Sequence, residues 1–118
     1  MTLLAAVLVV NAEDAQYQDV FYSVDDNHLT AEVSLNPKVS GELFIPDKII
    51  VGQNTYTVIA VGDRAFKGCK NLTNIVLPKT IERVYRSAFD GTGIMLNKEN
   101  WRDGCLWIDS ILIATDKT

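Results

Sequence analysis

Apolar positions in the middle of this chain recur at a fixed spacing of 23 residues. The pair Ala65-Phe66 returns as Ala88-Phe89, at the two ends of the stretch AFKGCKNLTNIVLPKTIERVYRSAF. Three more positions return at the same spacing: Val58 as Ile81, Val61 as Val84 and Gly68 as Gly91. A period between about 20 and 50 residues is typical of solenoids, in which each unit buries its apolar side against its neighbours. The pattern therefore predicts a solenoid.

Alternation of apolar and polar residues predicts the strands of the repeat. Strands are expected at Gly41–Pro46, at Asn74–Pro78 and, after an insertion at Asn97–Gly104, at Cys105–Asp109. The side chains expected to face inward are Leu43, Ile45, Ile75, Leu77, Leu106 and Ile108. Those expected on the outer face are Phe44, Val76 and Trp107. If the three strands are adjacent and in register, these outer residues form one apolar column, with Glu42 and Asn74 beside it.

Two hairpins are expected outside these strands. One lies in the segment IIVGQNTYTV, which separates Pro46 from the first Ala-Phe pair. The other spans Val20–Leu35, where Leu29, Ala31, Val33 and Leu35 alternate with polar residues. Its loop, Asp25–His28, lacks the spacing of an EF-hand and consists of ordinary turn residues. We therefore predict a solvated turn there, with no partner for His28 nearby in sequence.

The first twelve residues have the features of a signal peptide. Leu3–Val10 is an unbroken apolar run, and Val10-Asn11-Ala12 offers short residues at a cleavage site. No Lys or Arg precedes the run, so a buried strand or helix is the alternative. The sequence thus predicts a signal peptide at residues 1–12, with a truncated basic region, followed by a single domain at residues 13–118.

Composition narrows the range of partners. The chain is 47% hydrophobic and 22% charged, which is typical of a globular domain. Its formal net charge of −4 and the absence of a basic run argue against nucleic acid, because binding phosphates requires clustered Lys and Arg. No apolar stretch approaches the roughly 20 residues of a membrane-spanning helix. We therefore expect neither nucleic acid nor a membrane span.

Nothing in the sequence indicates catalysis or a cofactor. No nucleophile motif, phosphate-binding loop or metal-binding spacing occurs, and the single His cannot complete a zinc site with Cys69 and Cys105. The two cysteines could form a disulfide in an oxidising compartment, but small buried hydrophobes are the favoured interpretation. Because they occupy different positions relative to the repeat, we expect no bond between them.

The central stretch resembles the BspA-type leucine-rich repeat. The positions that match its consensus are Ala65, Phe66, Gly68, Cys69, Leu72, Ile75, Leu77, Pro78, Ile81, Val84, Ala88 and Phe89. Tyr85 departs from the consensus, which has Gly after the position of Val84, whereas Gly62 keeps that Gly one repeat earlier. The resemblance implies a leucine-rich-repeat solenoid, mainly β with short helical or 3-10 turns. The hairpin at Val20–Leu35 would form an N-terminal cap.

The resemblance also implies a function. Proteins of this type are exported, and some are similar to adhesins that bind host extracellular matrix proteins such as fibronectin and fibrinogen. We therefore expect a secreted or cell-surface binding module with a protein partner and no cofactor, and we expect its binding face at Phe44, Val76, Trp107, Glu42 and Asn74. The alternative is a structural spacer or capping segment of a larger repeat protein. Aromatic and β-branched residues favour strands with or without a ligand, so the outer column alone does not decide between these functions.

Overall fold

The computed structural model describes residues 15–108 and 111–115, so the predicted signal peptide at residues 1–12 lies outside the described part. In chain order the strands are β1 (Ala15–Tyr17), β2 (Val20–Asp25), β3 (Thr30–Val33), β4 (Gly41–Phe44), β5 (Lys48–Val51), β6 (Asn54–Val61), β7 (Leu72–Val76), β8 (Arg83–Val84), β9 (Trp101–Arg102), β10 (Cys105–Ile108) and β11 (Ile111–Thr115). Between them lie one short helix, α1 (Gly93–Leu96), and two 3-10 helices, Arg86–Phe89 and Lys98–Asn100. The fold is mainly β with short helical and 3-10 segments, as predicted.

The largest sheet contains both predicted hairpins. Its order is β1-β2-β3-β6-β5, and the short β8 pairs with β6. Strands β2 and β3 pair antiparallel with Tyr22 opposite Val33, and β5 and β6 pair antiparallel across the turn at Gly52, whose φ is +63°. The second strand of the first hairpin is shorter than predicted, since Leu29 and Leu35 lie outside β3 and are exposed.

The sheet curls as it continues. Its first strand, β1, lies close to β5 at the opposite end, so the sheet is nearly closed. The inner positions of β2, β3 and β6 supply much of the apolar core, including Tyr22, Val33 and Val58, each of which is fully buried. The sheet is mixed, because β3 pairs with β6 in parallel, and burial of only one of its faces explains the alternating pattern in these strands.

Consecutive repeats stack on one another at the spacing found in the sequence. Val61 and Val84 are Cα partners in the parallel pairing of β6 with β8. The backbone N–H of Phe66 donates to the carbonyl oxygen of Ala88 at 2.8 Å, one residue before the Phe of the next repeat. Equivalent residues are therefore neighbours in space, as the predicted repeat requires.

The two repeat phenylalanines form the centre of this stack. Phe66 and Phe89 are both 0% exposed, and their ring centroids lie 5.5 Å apart with a 32° angle between the ring planes. Gly68 and Gly91 follow them with φ values of +82° and +75°, a backbone conformation that strains residues with a Cβ atom. The stacked aromatic layer and the glycine turns are thus confirmed.

The repeat glycine that Tyr85 replaces has a steric role in the first coil. A Cβ atom on Gly62 would lie 2.8 Å from the carbonyl oxygen of Val33, which belongs to the neighbouring strand. Tyr85 has an extended backbone, with φ −73°, and its N–H donates to the carbonyl oxygen of Val61 at 3.0 Å. Gly62 donates to Val33 in the same way at 2.8 Å, so the turn is retained without the second glycine.

The described strands form three sheets instead of one continuous sheet, so the predicted solenoid is confirmed only in part: consecutive coils stack, but the largest sheet is nearly closed. Besides the large sheet there is a two-stranded parallel sheet, β4-β7, and a three-stranded antiparallel sheet, β9-β10-β11. The insertions explain the division. The residues after Pro46 pair as the β5-β6 hairpin, and the inserted segment before Cys105 forms β9, which pairs with β10.

Candidate binding surface

Two residues of the predicted outer column, Phe44 and Val76, lie on the two-stranded sheet β4-β7. Strands β4 and β7 run parallel, with Leu43 opposite Ile75 and Phe44 opposite Val76. Ile75 is buried and Leu43 is half-buried, whereas Phe44 is 67% exposed and Val76 is 38% exposed. The two outer side chains therefore form an apolar pair on the solvent face, as alternation along each strand requires.

The two predicted flanking residues contact each other. Glu42 and Asn74 are Cα partners in the same ladder, and the Asn74 side-chain Nδ2 donates to Glu42 Oε2 at 2.9 Å. Both residues are exposed. We call the four residues Glu42, Phe44, Asn74 and Val76 the outer face. It combines an exposed aromatic ring with a polar rim, which is the composition of many protein–protein contact sites.

Trp107 does not join this column, so the predicted adjacency of the third strand is wrong. Its strand, β10, belongs to the antiparallel sheet with β9 and β11. The inserted β9 occupies one edge of β10, and α1 packs against β7. Trp107 itself is half-buried, with the guanidinium carbon of Arg102 lying 5.3 Å from its ring centroid. This cation–π contact is a structural role that the sequence pattern did not indicate.

The structure contains a groove beside β4 that was not predicted from the sequence. It has a volume of about 500 Å³, and its apolar walls are Val20, Phe21, Val39 and Leu43. Phe21 could have been identified from sequence, because its position between the inward residues Val20 and Tyr22 directs it outward. The long connection from β3 to β4, which supplies the other wall, carries no such periodic signal.

Buried Asn36 holds this connection in place. Its Oδ1 accepts from the N–H of Phe21 at 2.9 Å, and its Nδ2 donates to the carbonyl oxygen of Ser34 at 2.8 Å. Its own carbonyl oxygen accepts from the thiol of Cys69 at 3.1 Å. One side of the groove is therefore fixed to the core by polar contacts, which the sequence alone did not predict.

The loop at Asp25–His28 is an exposed turn. Contrary to the prediction, the His28 side chain has a hydrogen-bond partner nearby in sequence. Its Nδ1 lies 2.8 Å from Asp25 Oδ2. This hydrogen bond, together with the backbone N–H groups of Asn27 and His28, holds the pKa of Asp25 below its ordinary value. Next to it, the hydroxyl of Tyr56 donates to Asp26, and burial of Tyr56 together with that bond raises the Tyr56 pKa. These contacts join the loop to the β5-β6 hairpin.

Neither metal-binding clusters nor membrane helices occur in the described part of the chain. Among residues 15–108 and 111–115, no group of three or more His, Cys, Asp or Glu side chains is arranged to hold a metal ion. In the same residues no helix is both long and apolar enough to cross a bilayer. Cys69 and Cys105 are both free thiols, the first buried and the second half-buried.

Two solved structures are similar to this one. A leucine-rich repeat protein from Bacteroides ovatus ATCC 8483 aligns with 64% of this chain and 20% of its own, with 28% sequence identity and a TM-score of 0.55. A leucine rich cell surface protein from Faecalibacterium prausnitzii A2-165 aligns with 66% of this chain and 28% of its own, with 17% identity and a TM-score of 0.47. The chain thus covers less than a third of each of these proteins. None of the curated proteins compared with the chain matches it.

The family model for the BspA type leucine rich repeat region, which comprises 6 copies of the repeat, matches residues 47–110. That match covers more than half of the chain. It includes the stacked phenylalanines, the glycine turns and strand β7, so the residues matched are those that the structure places in consecutive coils. The chain belongs to the BspA-type leucine-rich repeat family.

Proposed function

We propose that this chain is a non-catalytic protein-binding module of an exported, cell-surface repeat protein, with an adhesin-like role. The observation that carries the proposal is the exposed pair Phe44 and Val76 beside the hydrogen-bonded Glu42 and Asn74. An exposed aromatic ring on a rigid sheet offers apolar area to a partner at a small cost in conformational entropy. Its favoured partner is a host extracellular matrix protein.

The test compares two double variants in adhesion to immobilised fibronectin and fibrinogen. Phe44→Ser with Val76→Ser removes the apolar pair of the outer face, and it should weaken adhesion at least about tenfold. The matched control is Ile50→Ser with Leu96→Ser, which removes side chains that are 58% and 69% exposed on other elements. Both variants should fold, with melting temperatures within a few degrees of the wild-type value. Equal adhesion by the two variants would exclude the outer face as the site.

Trp107 is tested separately because it lies in another sheet. A loss of adhesion in Trp107→Ala, measured beside Arg102→Ala, would extend the binding face to that sheet. Unchanged adhesion would restrict the face to β4 and β7. The Arg102 variant serves as the control, since it removes the cation–π contact but leaves the indole ring.

The second candidate function is a spacer or capping segment of a larger array. It is favoured by the two-stranded sheet β4-β7, whose edges pair with no further strand among the described residues and could receive strands of further repeats, with the β2-β3 hairpin acting as an N-terminal cap. Wild-type protein that binds no matrix protein, but that unfolds cooperatively with added flanking repeats, would support this function over adhesion.

Export is part of the proposal and has its own measurement. Residues 1–12 should be removed on secretion, so N-terminal sequencing of the secreted protein should begin at Glu13. A secreted form that retains Leu3–Val10 would show that this apolar run belongs to the domain.

A further inference from the structure

The outer edge of β4 carries backbone groups that no other described strand uses. The N–H of Gly41 donates to the carbonyl oxygen of Asn71 at 2.6 Å, and the N–H of Ile45 donates to that of Val76 at 3.0 Å. In a parallel ladder alternate residues direct their N–H and C=O groups to opposite sides. Glu42 and Phe44 therefore direct theirs away from β7, and no strand among the described residues pairs with β4 on that side. We call these groups the free edge of β4.

The groove lies on the same side as the free edge. Leu43 lines it, but Ile75, which is opposite Leu43 on β7, does not. The groove is therefore on the side of β4 that faces away from β7. Val20, Phe21 and Val39 form its apolar walls. A strand added at the free edge would direct alternate side chains into this groove and the others onto the outer face.

The outer face indicates the chemistry of the side chains that an added strand would place beside it. Glu42 Oε2 accepts from Asn74, and the second carboxylate oxygen has no protein partner among the described residues. Phe44 stands two residues further along the same face. Directly opposite residues on neighbouring strands interact, so Glu42 favours a cationic neighbour and Phe44 an apolar one. The net charge of −4 on the whole chain also favours a cationic segment.

We propose that the free edge of β4 binds an extended segment of a partner protein as an additional strand. The segment carries a Lys or Arg and an apolar side chain two residues apart on one face, and apolar residues on the other. The main-chain hydrogen bonds to Glu42 and Phe44 supply affinity, and the groove and the outer face supply specificity. This inference rests on the proposed function, because it names the kind of partner that the outer face recognises.

The probe is a synthetic peptide, acetyl-Ser-Thr-Val-Lys-Val-Phe-Val-Lys-Val-Thr-Ser-amide, titrated into the full chain by isothermal calorimetry. Its palindromic sequence serves either strand orientation. We expect saturable binding with one peptide per chain. A second peptide, with both Lys residues replaced by Glu, should bind at least about tenfold more weakly. Glu42→Lys should reverse this preference. Absence of saturable binding by either peptide at about 1 mM, or an unchanged preference in the variant, overturns the proposal.

A matched pair of variants separates the backbone edge from the side chain. Phe44→Pro keeps an apolar side chain but removes the N–H on the free edge, whereas Phe44→Val keeps the N–H. The Pro variant should bind about tenfold more weakly than the Val variant, the effect of losing one net hydrogen bond at the upper end of its range. Equal binding by the two folded variants contradicts strand addition.

Methylated peptides give the same test without altering the protein. One is N-methylated at the Lys and Phe amides and the other at the Val amides, so each lacks the donors on one edge. If the peptide binds as an added strand, one of the two methylated peptides should no longer bind and the other should still bind. Equal binding by both peptides refutes the proposal, even if Phe44→Pro fails to fold.

Three further outcomes identify which idea fails. If the double change at Phe44 and Val76 abolishes adhesion to a matrix protein but Phe44→Pro adheres as Phe44→Val does, the outer face is the site and strand addition is wrong. If no variant changes adhesion, the proposed binding face is wrong as well. Concentration-dependent dimerisation that is lost in Phe44→Pro would make a second copy of the chain the occupant of the edge, and this too would overturn the proposal.

Discussion

Truncation of the stacked aromatic pair should cost this fold more stability than truncation of the same residue type on its surface. Phe66 and Phe89 are both 0% exposed and their ring centroids lie 5.5 Å apart, whereas Phe44 is 67% exposed. Phe66→Ala or Phe89→Ala removes buried ring atoms and leaves a cavity between coils. Such changes cost about 3–5 kcal/mol, whereas exposed substitutions stay within about 0.5 kcal/mol.

The expected loss is large relative to the whole stability. Domains of ordinary size unfold at a cost of about 5–15 kcal/mol, so either variant should lose roughly a third to a half of the total at the middle of that range. We expect the melting temperature to fall by at least about 10 °C for Phe66→Ala and by no more than a few degrees for Phe44→Ala. Thermal unfolding followed by circular dichroism measures the melting temperatures, and urea unfolding measures the free energies of unfolding. If Phe66→Ala does not fold, Phe66→Leu takes its place.

The pair should also show coupling in a double-mutant cycle. Aromatic pairs contribute about 0.5–1.5 kcal/mol beyond their buried area, so the two truncations together should cost less than the sum of the single costs. If Phe66→Ala destabilises the protein no more than Phe44→Ala does, or if the two buried truncations are additive, the stacked layer is not a stabilising contact between repeats.

Gly93, Tyr22 and the two cysteines provide further tests of the structure. Gly93→Ala should destabilise by about 1–3 kcal/mol in chemical unfolding, since its Cβ would lie 2.8 Å from two backbone carbonyl oxygens of neighbouring residues; Gly52→Ala, with an open but positive-φ site, shows the cost of backbone strain alone. The buried Tyr22 hydroxyl has no hydrogen-bond partner among the described residues, and burial raises its pKa to about 12. Between pH 10 and 12 the unfolded state therefore holds fewer protons at this position than the folded state, so stability should fall as pH rises; Tyr22→Phe should reduce that fall without loss at neutral pH. In the native protein Cys105 should react with a thiol reagent much faster than the buried Cys69, and a crosslinked peptide containing both on non-reducing mass spectrometry would contradict the free thiols seen here.

The repeated part of the fold was predictable because each repeat position has one physical task. Phe66 and Phe89 must occupy the same layer, and Gly68 and Gly91 must adopt positive φ after it. Because each repeat needs the same residue types at these positions, those residue types recur in the sequence at a fixed spacing. The inward positions of the strands were predictable for a similar reason. Each strand has one buried face, so apolar side chains such as Ile75 must occupy alternate positions along it.

Sheet adjacency was not predictable, because more than one strand can pair with the same edge. The alternation around Trp107 correctly gives a strand with Leu106 and Ile108 buried, but it carries no information about pairing. The inserted Trp101–Arg102 lies close to that strand in sequence and pairs with it locally. A local antiparallel pairing closes a short loop and therefore has a lower entropic cost than a parallel pairing with a distant strand. Trp107 is thereby placed in a different sheet from Phe44.

The groove and the bond between His28 and Asp25 escaped prediction for a different reason. The groove requires that the turn before β2 and the connection before β4 meet, and that connection is fixed by Asn36, whose role depends on partners such as Phe21 far away in sequence. His28 and Asp25 are only three residues apart, but their contact depends on the conformation of the turn, including the positive φ of Leu29. A repeat period reveals only the features that every repeat shares. The groove and the contact between His28 and Asp25 are not among those features.

The outer face differs both from the repeat positions, which were predictable, and from the contacts that were not predicted. The fold neither requires nor excludes its side chains. Phe44 could be replaced by Thr with little loss of stability, since it is 67% exposed and its strand pairs through backbone groups. Replacing Leu43, directly next to it, would remove part of the apolar wall of the groove. A large ring at a position where the fold gains little from it has a cost in exposed apolar surface. That cost, set beside a free edge and an unshared carboxylate oxygen at Glu42, supports recognition at this end of the sheet, and the Phe44→Pro and Phe44→Val pair measures it directly.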